Sequence, residues 1–343
     1  MAVNSTAVWQ DAVVIEAHDV AEGIRRIVIE PELPVNAEPG SHLDLTVPIQ
    51  GEPATRSYSI VESLDGGRRL AISVFRAPAS RGGSIHLHTL QAGTALRITQ
   101  PLQNFPLRVG APRYVLLAGG IGITAIAHMA RVLKSIKADY RLVYAGRRRD
   151  AMAYLSDLEA EHGDRISVHV DAEGTALKVP ELIASLDAGT ELYMCGPIRL
   201  MDAVRRGWND AGFDAPNLRY ETFGNSGWYD PEEFTVRIPR LGVEATVGAG
   251  SSMLEALEEA GVEMMFDCRK GECGLCQVKI LDLDGTVDHR DVFYSQRQQD
   301  ASSQMCVCVS RVARPGDSKT AADAGADPDC VHHRPAVVSI DVG

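Results

Sequence analysis

Apolar and polar positions alternate in short runs along the first hundred residues, the period of strands buried on one face. Val13-Val14-Ile15 and Ile27-Val28-Ile29 flank a turn around Asp19 to Gly23, which predicts a hairpin. His42-Leu43-Asp44-Leu45-Thr46-Val47 alternates, and Leu70 to Phe75 continues the all-β pattern. Helical periodicity enters only at Gly83 to Leu90, with Ser84 as its cap. The expectation for 1–110 is an antiparallel β-barrel.

From Arg113 the period changes. Tyr114 to Ala118 is a continuous apolar run, as in a parallel strand buried on both faces. A glycine turn follows, then a helical stretch from Ala125 to Lys137. Arg141 to Ala145, Ile166 to Val170 and Glu191 to Met194 repeat the strand signal with helical segments between them, predicting βαβ units and a parallel sheet over 111–224. Residues 225–233, with Gly227 and Pro231, read as a linker. Beyond it, Phe234 to Ile238 and Glu244 to Val247 predict a hairpin. Met253 to Ala260 predicts a short helix capped by Ser251 or Ser252, and Val278 to Leu283 a strand. Strand, strand, helix, loop, strand is the order of a β-grasp ferredoxin, an α+β fold, over 234–343. Asp317 to Arg334, rich in Ala, Asp and Gly, reads as an inserted flexible loop ahead of a last strand at Ala336 to Val342. Cys330, His332 and His333 within it read as incidental rather than as a second metal site.

Composition narrows this picture. A chain of 343 residues accommodates two or three such domains. The net charge of −12 argues against nucleic acid as a partner. Residues 234–343 hold 11 Lys and Arg against 17 Asp and Glu, an acidic surface able to steer toward a basic face on an electron acceptor. The longest charge-free stretch, Tyr114 to Ala130, is short for a membrane span and is broken by Gly119, Gly120 and Gly122. Met1 to Asp11 has no apolar run behind a basic start. The expectation is a cytoplasmic protein with no membrane partner, its cysteines kept reduced.

Candidate chemistry lies in four places. Cys268, Cys273 and Cys276 are separated by four and then two residues, the plant-type loop of a [2Fe–2S] cluster, which takes one further cysteine. A zinc knuckle would pair two Cys-x2-Cys elements, and this loop has one. Cys306 and Cys308 both fit as fourth ligand, because alternate strand residues share a face. In the barrel, Arg56-Ser57-Tyr58-Ser59 resembles the flavin motif of the ferredoxin-reductase superfamily. Arg56 offers a cation to a phosphate, Tyr58 a flat face to isoalloxazine and Ser59 a hydrogen bond to flavin N5. Arg81-Gly82-Gly83-Ser84 offers N–H groups and a hydroxyl to the same phosphate. In the α/β domain, Gly119-Gly120-Ile121-Gly122-Ile123-Thr124 joins strand to helix as an anion site for a pyrophosphate. Cys195-Gly196-Pro197 places a small thiol at another strand end, beside a nicotinamide. Gly146-Arg147-Arg148-Arg149 follows a third strand, where Arg147 can contact the adenosine ribose. No acidic residue ends that strand to reject a 2′-phosphate, so NADH and NADPH both stay open on residues alone.

Together these motifs resemble the phthalate dioxygenase reductase family, which includes the vanillate O-demethylase reductases. The resemblance spans nearly the whole chain and implies the order flavin, nicotinamide, [2Fe–2S]. It implies FMN, with FAD as the alternative, and NADH as electron donor. Cys308-Val309-Ser310-Arg311 matches the family's last ligand, which selects Cys308, and Asp288-His289-Arg290-Asp291 matches a further family loop. Ser59 and Cys195 take the catalytic positions. The implied activity passes electrons from NADH to a separate Rieske-type oxygenase. A cytochrome P450 is the alternative partner, and a non-catalytic [2Fe–2S] redox sensor the alternative class. No DNA-binding or output module supports the sensor.

Overall fold

The computed structural model describes residues 7–49, 51–77, 80, 82–223, 227–314 and 334–342. Arg81 and the stretch holding Cys330, His332 and His333 lie outside the described residues, as does the inserted loop except for Arg334. The chain divides into two compact units, one of Met1–Gly196 with Ala203–Glu221, the other of Pro197–Asp202 with Thr222–Gly343.

The first unit begins with strands β1 (Trp9–Ala21), β2 (Ile24–Pro31), β3 (Ser41–Ile49), β4 (Glu52–Leu64) and β5 (Arg69–Phe75). Helix α1 (Gly83–Thr89) and strands β6 (Ala95–Thr99) and β7 (Leu102–Gln103) complete this part. The sheet runs β4-β5-β2-β1-β6-β3-β7, and an added β3–β4 pairing closes six of the strands into a barrel. Leu43, Leu45 and Val47 alternate inward on β3 and meet Val14, Ile27, Ile60 and Ile72 in the barrel core. Each fully buried aliphatic side chain there contributes roughly 1.5–3 kcal/mol. The expected hairpin is present and longer than its apolar core, with Gly23 in the turn at φ +69°.

The rest of the unit alternates strand and helix: β8 (Arg113–Gly119), α2 (Ile123–Ser135), β9 (Tyr140–Gly146), α3 (Leu155–His162), β10 (Ile166–Val170), α4 (Val179–Ala184), β11 (Thr190–Cys195), α5 (Ile198–Asp210) and β12 (Leu218–Glu221). Its sheet is parallel throughout in the order β10-β9-β8-β11-β12. The first strand, β8, is central and buried from Tyr114 to Gly119, as its unbroken apolar run requires. Strand order reverses between β8 and β11, and the crevice beyond their carboxyl ends is where open α/β sheets bind ligands.

The second unit holds β13 (Phe234–Ile238), β14 (Val243–Val247), α6 (Met253–Glu259), β15 (Gln277–Asp284), β16 (Thr286–Asp288), α7 (Gln296–Ala301), β17 (Gln304–Cys306), β18 (Arg311–Ala313) and β19 (Ala336–Asp341). The last strand lies centrally in the order β14-β13-β19-β15-β17, parallel to β13. Helix α6 carries the expected cap at Ser252, reciprocated by Glu255 in a capping box. Its Leu254 and Leu257 pack with Phe234, Val236, Val338 and Ile340. A helix on a mixed sheet in this order is the β-grasp ferredoxin arrangement. No helix among the described residues is long and apolar enough to cross a membrane.

Candidate functional site

The motifs of the first unit meet at the switch point. A Cβ on Gly122 would lie 2.1 Å from the Cys195 carbonyl oxygen, so only glycine lets the β8 turn close against the end of β11. The Gly119–Thr124 and Cys195–Gly196 motifs are therefore in backbone contact. In the parallel register Cys195 lies opposite Glu221, the last residue of β12. Glu221 is buried, and its Oε2 accepts a hydrogen bond from the Ser59 hydroxyl at 3.3 Å. The carboxylate that holds Ser59 of the flavin motif thus belongs to the residue in strand register with Cys195 of the nicotinamide motif.

Within the barrel, β4 pairs with β3 so that Arg56, Ser57, Tyr58 and Ser59 face Leu45, Asp44, Leu43 and His42. Tyr58 is half-buried against the barrel core. The Arg56 side chain packs on Gly83, whose Cβ would come 3.2 Å from Arg56 Cγ, which brings the two flavin motifs together. Ser57 points elsewhere: it is exposed, and its hydroxyl donates to Asp44. Ser84 does not cap α1. Gly82 holds the cap position at φ +109°, and the Ser84 hydroxyl donates to Ser80 at 2.8 Å. The helix starts one residue earlier than the serine signal because glycine alone tolerates that backbone. Thr124 is also turned inward, its hydroxyl donating to the Ile121 carbonyl at 3.0 Å. Pro197, beside Gly196, is exposed.

In the second unit the thiols fall into a pair and a group of three. Cys268 is hydrogen-bonded with Cys273, and the Cys276 sulfur accepts from Cys306 and Cys308. These donors pull the Cys276 pKa down to about 3, and the Cys306 and Cys308 thiols are pushed up in return. Among the described residues no three His, Cys, Asp or Glu converge as for a single metal ion. Five cysteines gathered among the described residues of one unit would supply the four thiolates a [2Fe–2S] cluster takes, each ligand giving up its proton on binding. Burial raises the Cys268 pKa, while the N–H groups of Lys270 and Glu272 point at its sulfur at 3.4 Å. Cys308 receives the Gly271 N–H and feels Cys268, whereas Cys306 lies against Asp291. Gly271 is fixed at φ +75°, with Val309 Cγ2 only 2.6 Å from where a Cβ would stand.

Comparison with known proteins bears on the same residues. Residues 236–313 match the 2Fe-2S iron-sulfur cluster binding domain. Residues 99–218 match the N-terminal domain of dimethylamine monooxygenase subunit DmmA-like proteins. The vanillate O-demethylase oxidoreductase of Pseudomonas putida is 33% identical over 89% of this chain and 98% of its own length. The chain belongs to the phthalate dioxygenase reductase family. The solved phthalate dioxygenase reductase, described as a modular structure for electron transfer from pyridine nucleotides to [2Fe–2S], superposes with a TM-score of 0.68. It is 26% identical and covered over 98% of its length, against 97% of this chain. An intact type IV self-sufficient cytochrome P450 monooxygenase matches 97% of this chain at 29% identity and TM-score 0.62, over 41% of its own length. This reductase is accordingly an oxidoreductase of an oxygenase system, carrying a [2Fe–2S] domain.

Reading the sequence missed two features of the reductase. Glu221 has no chemical motif around it, and its one signal is an acid ending the short strand Leu218–Glu221. The acidic surroundings of the arginines were also hidden. Arg149 forks onto Glu173 with two 2.8 Å bonds, and Arg148 pairs with Asp150 and Glu22. Arg147 has no ion pair among the described residues, and its carbonyl accepts the Ala172 N–H at 3.0 Å. The neighbouring strand β10 thus delivers Asp171 and Glu173 to a place where β9 itself ends without an acid.

Proposed function

We propose that this reductase oxidises NADH at the switch point of the first unit and delivers the electrons to a Rieske-type oxygenase. A bound FMN supplies the conversion of a hydride into single electrons, and a [2Fe–2S] cluster carries them onward. The observation that carries this reading is the Ser59–Glu221 hydrogen bond, with Glu221 in register with Cys195. It ties the flavin motif to a residue standing in register beside the nicotinamide motif, which supports a shared site.

The chain's own residues then divide the work. Arg56 with Gly82, Gly83 and Ser84 holds the flavin phosphate, Tyr58 gives a flat wall, and Glu221 fixes the Ser59 hydroxyl. Gly119, Gly120, Gly122 and the Thr124 N–H present backbone to the NADH pyrophosphate. Cys195, Gly196 and Pro197 border the nicotinamide. Cys268, Cys273, Cys276 and Cys308 ligate the cluster. Arg148 and Arg149 are already neutralised by carboxylates, and Asp171 and Glu173 flank Arg147, which favours a ribose 2′-hydroxyl over a 2′-phosphate. Phe266, Leu275 and Phe293, exposed beside the cysteine loop, offer the oxygenase an apolar contact.

Anaerobic addition of NADH to the purified protein tests this reading. Bleaching of flavin absorbance and an EPR signal from a reduced [2Fe–2S] centre are expected, with NADPH at least tenfold poorer in kcat/KM. A protein containing zinc and no iron, or one preferring NADPH, would overturn the corresponding part. Reconstitution with a Rieske oxygenase and with a cytochrome P450 decides the partner.

A further inference from the structure

Thr222 follows Glu221 in the chain, is buried, and belongs to the second unit. Its hydroxyl lies 2.8 Å from the Lys270 carbonyl and 3.0 Å from Glu272 Oε1, and its N–H donates to the same Oε1 at 3.0 Å. Lys270 and Glu272 aim their N–H groups at Cys268 Sγ, both at 3.4 Å, and the Cys273 N–H is directed there too. Gly271 between them adopts φ +75°, which turns both amides to one side. One threonine therefore grips, from behind, two of the residues whose amides face the sulfur.

We propose that Thr222 is a positioning residue for the [2Fe–2S] centre, holding the Lys270 and Glu272 amides on the Cys268 sulfur through the Lys270 carbonyl and the Glu272 carboxylate. This rests on the cluster reading above. N–H groups directed at a ligand sulfur stabilise the additional negative charge of the reduced cluster and so raise its potential. Glu272 alone would act in the opposite sense, because its charge opposes reduction. The Thr222 donors disperse that charge while they orient the loop. The hydroxyl's one proton is shared between the Lys270 carbonyl and the Glu272 carboxylate, so removing it loosens the grip on both, while the N–H stays on Glu272; the loosened loop amides lower the potential.

Thr222→Val keeps shape and N–H but loses the hydroxyl, and Thr222→Ser restores it. Two readouts apply: the cluster midpoint potential from an EPR-monitored redox titration, and hydrogen–deuterium exchange of the peptide spanning 269–273. Thr222→Val should titrate at a more negative potential and exchange roughly three- to tenfold faster, as the loss of one hydrogen bond implies. Thr222→Ser should match the native protein in both. A Thr222→Val protein that takes up no iron while Thr222→Ser does also supports the clamp; failure of both, since serine keeps the bonds, overturns it. Native potential and native exchange in Thr222→Val overturn it as well. If the native chain itself holds no iron, the cluster reading fails separately, and exchange in the iron-free chain still decides whether Thr222 orders the loop.

Discussion

The nicotinamide turn at Gly119–Thr124 and the cysteine loop at Asp267–Gln277 are both short glycine-bearing segments, yet they are held in different ways. The turn is fixed by regular structure: a buried parallel strand, a helix beginning at Ile123, and a neighbouring strand whose carbonyl touches Gly122. The loop has no strand or helix of its own. Side chains from elsewhere in the chain hold it: Thr222 on Lys270 and Glu272, Glu258 on Arg269, and the Tyr294 hydroxyl on Gln277. Under the proposed function, backbone packing serves a site that binds and releases a nucleotide. A polar network serves a site that must keep four thiolates around a permanent charge.

The sharpest way to break the loop is through its thiols. Cys308→Ser should abolish a stable cluster, read as loss of iron and of visible absorbance. Cys306→Ser should retain it, because both cysteines reach Cys276 but only Cys308 also receives the Gly271 amide of the cysteine loop, while Cys306 faces the opposing charge of Asp291. The reverse result would move the fourth ligand to β17.

The turn is broken differently. Gly122→Ala places a methyl 2.1 Å from the Cys195 carbonyl, forcing the ends of β8 and β11 apart. Overpacking of this kind costs about 1–3 kcal/mol. The melting temperature of the first unit should fall and the KM for NADH rise, with iron content unchanged. An unaltered KM would separate the Gly122–Cys195 contact from nucleotide binding.

The same contrast governs what was legible in the sequence. Strand period, glycine turns and cysteine spacing are local signals. They gave the barrel, the parallel sheet and the ferredoxin order, along with β10 and β13 to the residue. The turn was legible because what fixes it is written in adjacent residues. Glu221, Thr222 and the acids around Arg148 and Arg149 carry no local pattern. Their partners stand 162, 50 and 24 residues away for Ser59, Glu272 and the Arg149–Glu173 pair. The anchoring of the stretch read as a linker was hidden for the same reason: Trp228 donates its N–H to Asp288 at 2.8 Å, and Arg290 donates to the Tyr229 carbonyl at 3.0 Å. A Gly- and Pro-bearing stretch looks free until the buried Asp288–Arg290 pair that grips it is seen.

Acid should separate the two regions by a smaller margin. In the α/β domain burial lowers the pKa of His128 and His162, with Arg131 adding to the effect at His128. His162 accepts or shares a 2.6 Å bond with the Tyr140 hydroxyl through Nδ1, while its Nε2 has no hydrogen-bond partner among the described residues. The unfolded chain takes up these protons near pH 6.5 and the folded chain does so only lower, so stability declines as pH falls from about 7 toward 5. At Asp291 burial works to raise the pKa, but His289, the Tyr294 N–H and Gln299 outweigh it and hold the carboxylate below its usual range. Its contribution is present above an unfolded value of about 4 and is lost only as pH drops through the folded one. Unfolding of the first unit, followed by fluorescence of buried Trp208, should therefore weaken between pH 7 and 5 while the second unit holds its visible absorbance. His162→Gln should flatten that slope. A slope unchanged in His162→Gln and in His128→Gln would remove both histidines as its cause.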